Sequence, residues 1–173
     1  MHTIPDHWKD AFLNSFQQFP NIQFFLRYEK DDLNDRLPKN VHISKWLPQS
    51  DLLAHKKCLG LISHGGYNSF QDAIYAGVPI VTVALFGDQP RNAHLAVKLG
   101  FGIYLRKAEI SRETVVAAID RLLNDKSLSK AASVIRDQTA KKPVSSEELL
   151  VRWTAFLAEF KTLDNLVPYG TQL

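Results

Sequence analysis

The residues best suited to chemistry fall in three short polar stretches. In Ser63-His64-Gly65-Gly66-Tyr67-Asn68-Ser69 an apolar run ends, two glycines permit close backbone approach, and a helical pattern begins. Free N–H groups at such a helix start, with the positive end of its dipole, attract an anion. His64, Asn68 and Ser69 can add side-chain donors to the same phosphate. The segment reads equally well as a tight turn with Asn68 or Ser69 as an N-cap and His64 as a satisfied strand-end residue. It is not GxGxxG, so the dinucleotide fingerprint is not present.

The other stretches are ambiguous in the same way. Asp72 follows Asn68 by one helical turn, and its carboxylate could accept from both hydroxyls of a ribose. Alone, it reads better as a favourable charge early in a helix. Asp88-Gln89 offers an acceptor pair and an amide suited to sugar hydroxyls, or simply an Asp N-cap. Trp46-Leu47-Pro48-Gln49 presents a flat ring for a base and an amide for its edge, or a core tryptophan in a loop. Together they supply a base platform, a phosphate cradle, a ribose acceptor and a sugar-hydroxyl clamp. That is the inventory for a nucleotide-diphosphate sugar.

These turns need a scaffold that brings them together. Apolar runs at residues 22–28, 41–46, 59–63, 79–86 and 102–106 read as strands, separated by segments of helical spacing. Helices are expected over residues 6–19, from the Gly65-Gly66 turn to about Ala76, from Asp88 or Pro90 to Gly100, and over 111–123, 128–139 and 145–160. Ser50 or Asp51 is placed to cap a further short helix, and Ser111-x-x-Thr114 opens another without a full capping box. The last helix carries Leu149, Leu150, Trp153, Phe156, Leu157 and Phe160 on one face, an apolar stripe that should dock. The alternation implies an α/β fold, a Rossmann-like parallel sheet with helices on both faces. Ligands bind at the carboxyl ends of such strands, which selects the turns after the second, third and fourth strands.

Composition narrows the field. At 173 residues, 45% hydrophobic and 23% charged, the chain suits one soluble globular domain. Its net charge of +3 is scattered, with pairs only at Lys56-Lys57 and Lys141-Lys142, so no nucleic-acid stripe is expected. Cys58 is the single cysteine, which excludes an intrachain disulfide. The six histidines are dispersed without metal-ligand spacing, so neither a metal nor another cofactor is expected. The opening residues lack the apolar core of a signal peptide, and the longest nearly apolar run is too short to span a bilayer.

The stretch "WLPQSDLLAH" followed by "ISHGGYNSFQDAIYAGVPIVTVALFGDQPRN" resembles the signature of the UDP-glycosyltransferases, especially the animal glucuronosyltransferase branch. More loosely, the likeness runs from "PDHWKDAF" to "NLVPYGTQL". It implies the C-terminal, donor-binding half of a GT-B enzyme, with or without its first strand. Residues 1–160 would form the UDP-sugar domain, and 161–173 an irregular tail towards an absent membrane anchor.

By the same resemblance, Trp46 and Gln49 contact uracil. His64, Asn68 and Ser69 face the diphosphate, with the Gly65 and Gly66 backbone close by. Asp72, the shorter of two acids the family accepts there, holds the ribose, and Asp88 with Gln89 hold the transferred sugar. The co-substrate would be UDP-glucuronate or UDP-glucose, and the reaction an inverting transfer of a hexosyl group to a small lipophilic acceptor. In the family the histidine base belongs to an N-terminal acceptor-binding domain. No catalytic residue is therefore expected within this chain, and a truncated, non-catalytic UDP-sugar-binding module is the alternative. The acceptor domain would be its partner, with homo-oligomerisation possible. The family location is the endoplasmic reticulum membrane, facing the lumen, whereas the chain as written is expected to be soluble.

Overall fold

The central strand explains the rest of the architecture. Residues 78–84 form an uninterrupted apolar run apart from Thr82, and all seven are buried in the computed structural model. A strand of that composition needs cover on both faces, which a parallel sheet between helices provides. This strand, β4 (Ile80–Thr82), pairs in parallel with β3 (Leu61–Ser63) on one side and β5 (Gly102–Tyr104) on the other. Its side chains alternate as a strand requires. Ile80 packs with Phe70, Ala73, Ala96, Phe101 and Ala132, whereas Val81 joins Ile103, Ala118 and Leu128.

The structure describes residues 4–163. Its first compact unit, Met1–Ala140, holds every strand together with α1 (Asp6–Phe16), α2 (Gln49–Ala54), α3 (Tyr67–Ala76), α4 (Gln89–Lys98), α5 (Arg112–Asn124) and α6 (Lys126–Ala140). The remaining strands, β1 (Phe24–Arg27) and β2 (Val41–Ser44), form a separate parallel pair. The five expected strands are thus all present and parallel, but shorter than the apolar runs and divided between two sheets. The residues next past the strand ends still bond across, Tyr28 N–H to the Ser44 carbonyl, Val83 N–H to that of Ser63 and Leu105 N–H to that of Thr82, each at 2.9 Å.

Helices α1 and α5 share a cluster of Leu13, Phe16, Val115 and Ile119 with Tyr28 and Val41 from the β1–β2 region. Phe16 stacks on Phe24 with ring centroids 4.1 Å apart. Two polar fasteners hold this end. The buried Asn40 amide is shared among the carbonyls of Phe16, Phe19 and Ile22, at 2.9, 3.0 and 3.1 Å. Lys9, almost wholly buried, donates to Asp32 at 2.7 Å and Asp6 at 2.9 Å, and Tyr28 donates to the other Asp32 oxygen at 2.8 Å. Lys9 therefore keeps its proton above the usual lysine range, and these same bonds hold the Asp32 carboxyl below the usual aspartate range.

Two helix starts differ from the sequence reading. Helix α2 begins at Gln49 behind Pro48, with no side-chain cap among the described residues, so neither Ser50 nor Asp51 caps it. Helix α5 carries a complete capping box: Ser111 Oγ accepts from Thr114 N–H at 3.3 Å, and Thr114 Oγ1 accepts from Ser111 N–H at 3.0 Å. The short threonine hydroxyl closes the box that glutamate usually closes.

The second compact unit, Lys141–Leu173, contains α7 (Ser146–Phe160), capped by Ser145 Oγ on Glu148 N–H at 3.0 Å. Phe156 packs between Trp153 and Phe160, and no residue of α7 is buried. Most of the tail expected from residue 161 onward lies outside the described residues. Among the described residues no helix is long and apolar enough to cross a membrane.

Candidate functional site

The turn after β3 is built for close approach. Gly65 has φ +81°, a left-handed conformation that L side chains rarely adopt. Its N–H donates to Ser63 Oγ at 3.2 Å. At Gly66 the His64 imidazole lies alongside, and a Cβ would stand 2.6 Å from His64 Nε2, so the ring would have to shift to admit a side chain. Gly66 is also the N-cap of α3, and no side chain caps that helix among the described residues. The Asn68 and Ser69 side chains are thus not used as caps. The backbone N–H groups of Tyr67, Asn68 and Ser69, in the first helical turn, have no intrahelical acceptor. They open into a cleft of about 430 Å³ lined by His64, Gly66, Tyr67, Asn68, Ser69 and Asp88.

The turn after β2 reaches the same helix one turn further along. Gln49 sits in the first turn of α2, and its Nε2 donates to Asp72 Oδ2 at 2.8 Å and to Ser69 Oγ at 3.2 Å. Three residues from two predicted turns are therefore joined by one amide. Trp46 lies just upstream with 68% of its surface exposed, so it is no core tryptophan. Ser44 Oγ donates to its carbonyl at 2.6 Å and fixes the backbone of that turn.

The turn after β4 separates its two candidates. Asp88 is exposed and lines the cleft, and it is the N-cap residue of α4 without a side-chain cap bond. Gln89 is only 5% exposed. Its Oε1 accepts from the N–H groups of Leu85 at 2.8 Å and Phe86 at 3.2 Å, because that loop has no strand partner to satisfy them. Five expected residues (His64, Gly66, Asn68, Ser69 and Asp88) thus meet at the cleft, and Gly65 is buried in the same turn. Gln49 and Asp72 pair beside them, Trp46 stands exposed upstream, and Gln89 turns inward.

The chain as a whole is similar to known glycosyltransferases. The family described as "UDP-glucoronosyl and UDP-glucosyl transferase" matches residues 2–173. The chain belongs to this family. UDP-glucosyltransferase 2 of Dactylopius coccus is 30% identical over 171 residues, covering 99% of this chain and 33% of that protein. UDP-glucuronosyltransferase 3A1 of Xenopus laevis is 34% identical over 137 residues, covering 79% and 26%. The chain spans about a third of the length of the curated relatives it matches. The glycotransferase of kitacinnamycin superposes with a TM-score of 0.70 at 26% identity, over 79% of this chain and 35% of that one. The glycosyltransferase VinC, solved in complex with DTDP, has the same fold at 19% identity, with a TM-score of 0.72 over 81% and 37%. The chain has the parallel, Rossmann-like α/β architecture of the GT-B glycosyltransferases.

In this UDP-glycosyltransferase chain two residues join the site that carried no expectation. Tyr67 lines the cleft with its ring exposed. Asn92, 1% exposed, lies behind it: its Nδ2 donates to the Gly65 carbonyl at 3.0 Å and to Asp88 Oδ2 at 2.8 Å. The only sequence signal for Asn92 was its place four residues after Asp88, a spacing that lets the two meet on a helix.

Proposed function

We propose that the cleft binds the nucleoside diphosphate of a UDP-sugar, and that the whole protein transfers the hexosyl group to a small lipophilic acceptor. The observation that carries this reading is the uncapped start of α3, opening onto the cleft with His64 folded over Gly66. The diphosphate accepts from the N–H groups of residues 67–69 and from His64, Asn68 and Ser69. The ribose hydroxyls donate to Asp72, whose carboxylate Gln49 already orients, and Gln49 also reaches the base edge. The exposed Trp46 ring receives the uracil face. At the far end Asp88 accepts from the sugar hydroxyls, while Gln89 holds the loop through Oε1 and offers Nε2.

During transfer an acceptor hydroxyl attacks C1 of the sugar as the C1–oxygen bond to UDP breaks. Negative charge then grows on the departing diphosphate, where helix-terminal donors are already aimed. Each key donor of such an anion hole lowers the barrier by about 3 kcal/mol. The acceptor's proton goes to a base outside this chain, so the chain contributes donor binding and leaving-group stabilisation. The donor sugar is UDP-glucose or UDP-glucuronate.

Calorimetric titration of UDP into the full chain tests the reading. His64→Ala and Asp72→Ala should each weaken UDP by about tenfold, the usual scale for a lost hydrogen bond to a charged group. Unchanged affinity in both variants would remove the assignment.

A further inference from the structure

A buried side-chain amide must satisfy its donors, and which partners it takes shows what it holds in place. The Asn92 amide nitrogen has two hydrogens. One goes to the Gly65 carbonyl in the turn after β3, and the other to the Asp88 carboxylate in the turn after β4. The backbone N–H of Asn92 also donates to the Asp88 carbonyl at 3.0 Å. The residue is buried among these bonds, with 1% of its surface exposed, and it does not line the cleft.

Each bond has a consequence for an anionic ligand. The Gly65 carbonyl, turned onto Asn92, is occupied as an acceptor and so is not offered to a diphosphate that it would repel. The Gly65 N–H is likewise taken by Ser63, so the peptide groups on both sides of Gly65 are held. Asp88 has one oxygen held from behind, so its other oxygen is free at a defined angle. No other common side chain does both jobs here. Aspartate would set a carboxylate against two acceptors, serine has one hydrogen, and glutamine is a methylene too long for a site this enclosed.

We propose that Asn92 is a positioning residue that couples the two ends of the donor. Through one amide it sets the Asp88 carboxylate for the sugar hydroxyls and locks it to the turn that receives the diphosphate. It acts through Asp88 and Gly65 and does not touch the ligand. This inference rests on the reading of the cleft as a UDP-sugar site.

The test is an equilibrium titration of the full chain with UDP and, separately, UDP-glucose. The proteins are wild type, Asp88→Ala, Asn92→Ala, Asn92→Ser and the Asp88→Ala/Asn92→Ala double variant. Asn92→Ala is expected to weaken UDP-glucose by about tenfold and UDP by only about twofold, reflecting one lost charge-assisted bond at the sugar end. Asn92→Ser, which keeps one hydrogen, should fall between wild type and Asn92→Ala, and it carries the test if the alanine variant does not fold. The double variant should lose no more UDP-glucose affinity than Asp88→Ala alone, because both changes remove the same oriented carboxylate. Equal losses for UDP and UDP-glucose would mark Asn92 as structural and overturn the proposal. Losses that simply add to those of Asp88→Ala would do the same. Failure of the wild-type chain to bind UDP would show in the UDP titration alone, apart from any difference between variants, and would overturn the underlying site reading as well.

Discussion

The two ends of the proposed donor site are built in opposite ways. At the diphosphate end, the peptide groups on either side of Gly65 are held by Ser63 and Asn92, and Asp88 is tied to the same Asn92 amide. At the base end, a tryptophan stands 68% exposed on a turn whose backbone the Ser44 hydroxyl holds. Gln49 links the ends, bonded to Asp72 and Ser69 on α3. The difference teaches how such a site divides its work. Charge recognition depends on dipoles set before the ligand arrives, because reorienting them would consume the binding energy. Stacking on a base needs only an open flat surface, so Trp46 can stay solvated until the ligand covers it.

The comparison can be broken most severely at Gly65. Replacing it with alanine forces an L side chain to φ +81°, a strain of about 1–2 kcal/mol. The substitution should lower the unfolding midpoint by several degrees and weaken both UDP and pyrophosphate by more than tenfold, since each uses the turn. Thermal melts and the two titrations read this directly. Unchanged pyrophosphate affinity would mean that the turn does not bind phosphate.

A milder change sharpens the contrast. Trp46→Ala removes an exposed ring, so the melting temperature should stay where it was. UDP affinity should fall about tenfold, within the roughly 1–3 kcal/mol a base–aromatic stack contributes. Pyrophosphate affinity should not move at all. A parallel loss of pyrophosphate would place Trp46 in the wrong part of the site.

Much of this was legible in the sequence, for identifiable reasons. The Ser63–Ser69 turn announced itself because strand end, double glycine and helix start are all local signals. The parallel α/β alternation was equally local. What the sequence could not show depended on contacts between turns. That Gln49 would donate to Asp72 required α2 to pack against α3, and nothing near residue 49 reports that. That Gln89 would also accept from the N–H groups of Leu85 and Phe86 through Oε1 was not legible, because the need for an acceptor arises in the loop before it. Asn92 was missed because its meaning lies in a carbonyl 27 residues away. The division of the strands into two sheets was hidden for a related reason: an apolar run shows that a strand is buried, not which neighbour it pairs with.

The central claim is that one site spans the base and the diphosphate. Displacement of bound UDP by its two separate fragments, uridine and pyrophosphate, tests it most directly. If the account is right, each fragment alone displaces UDP, and the two can bind the chain together because they occupy opposite ends of one site. If either fragment saturates the protein without displacing UDP, the two ends do not belong to the same site and the account is wrong.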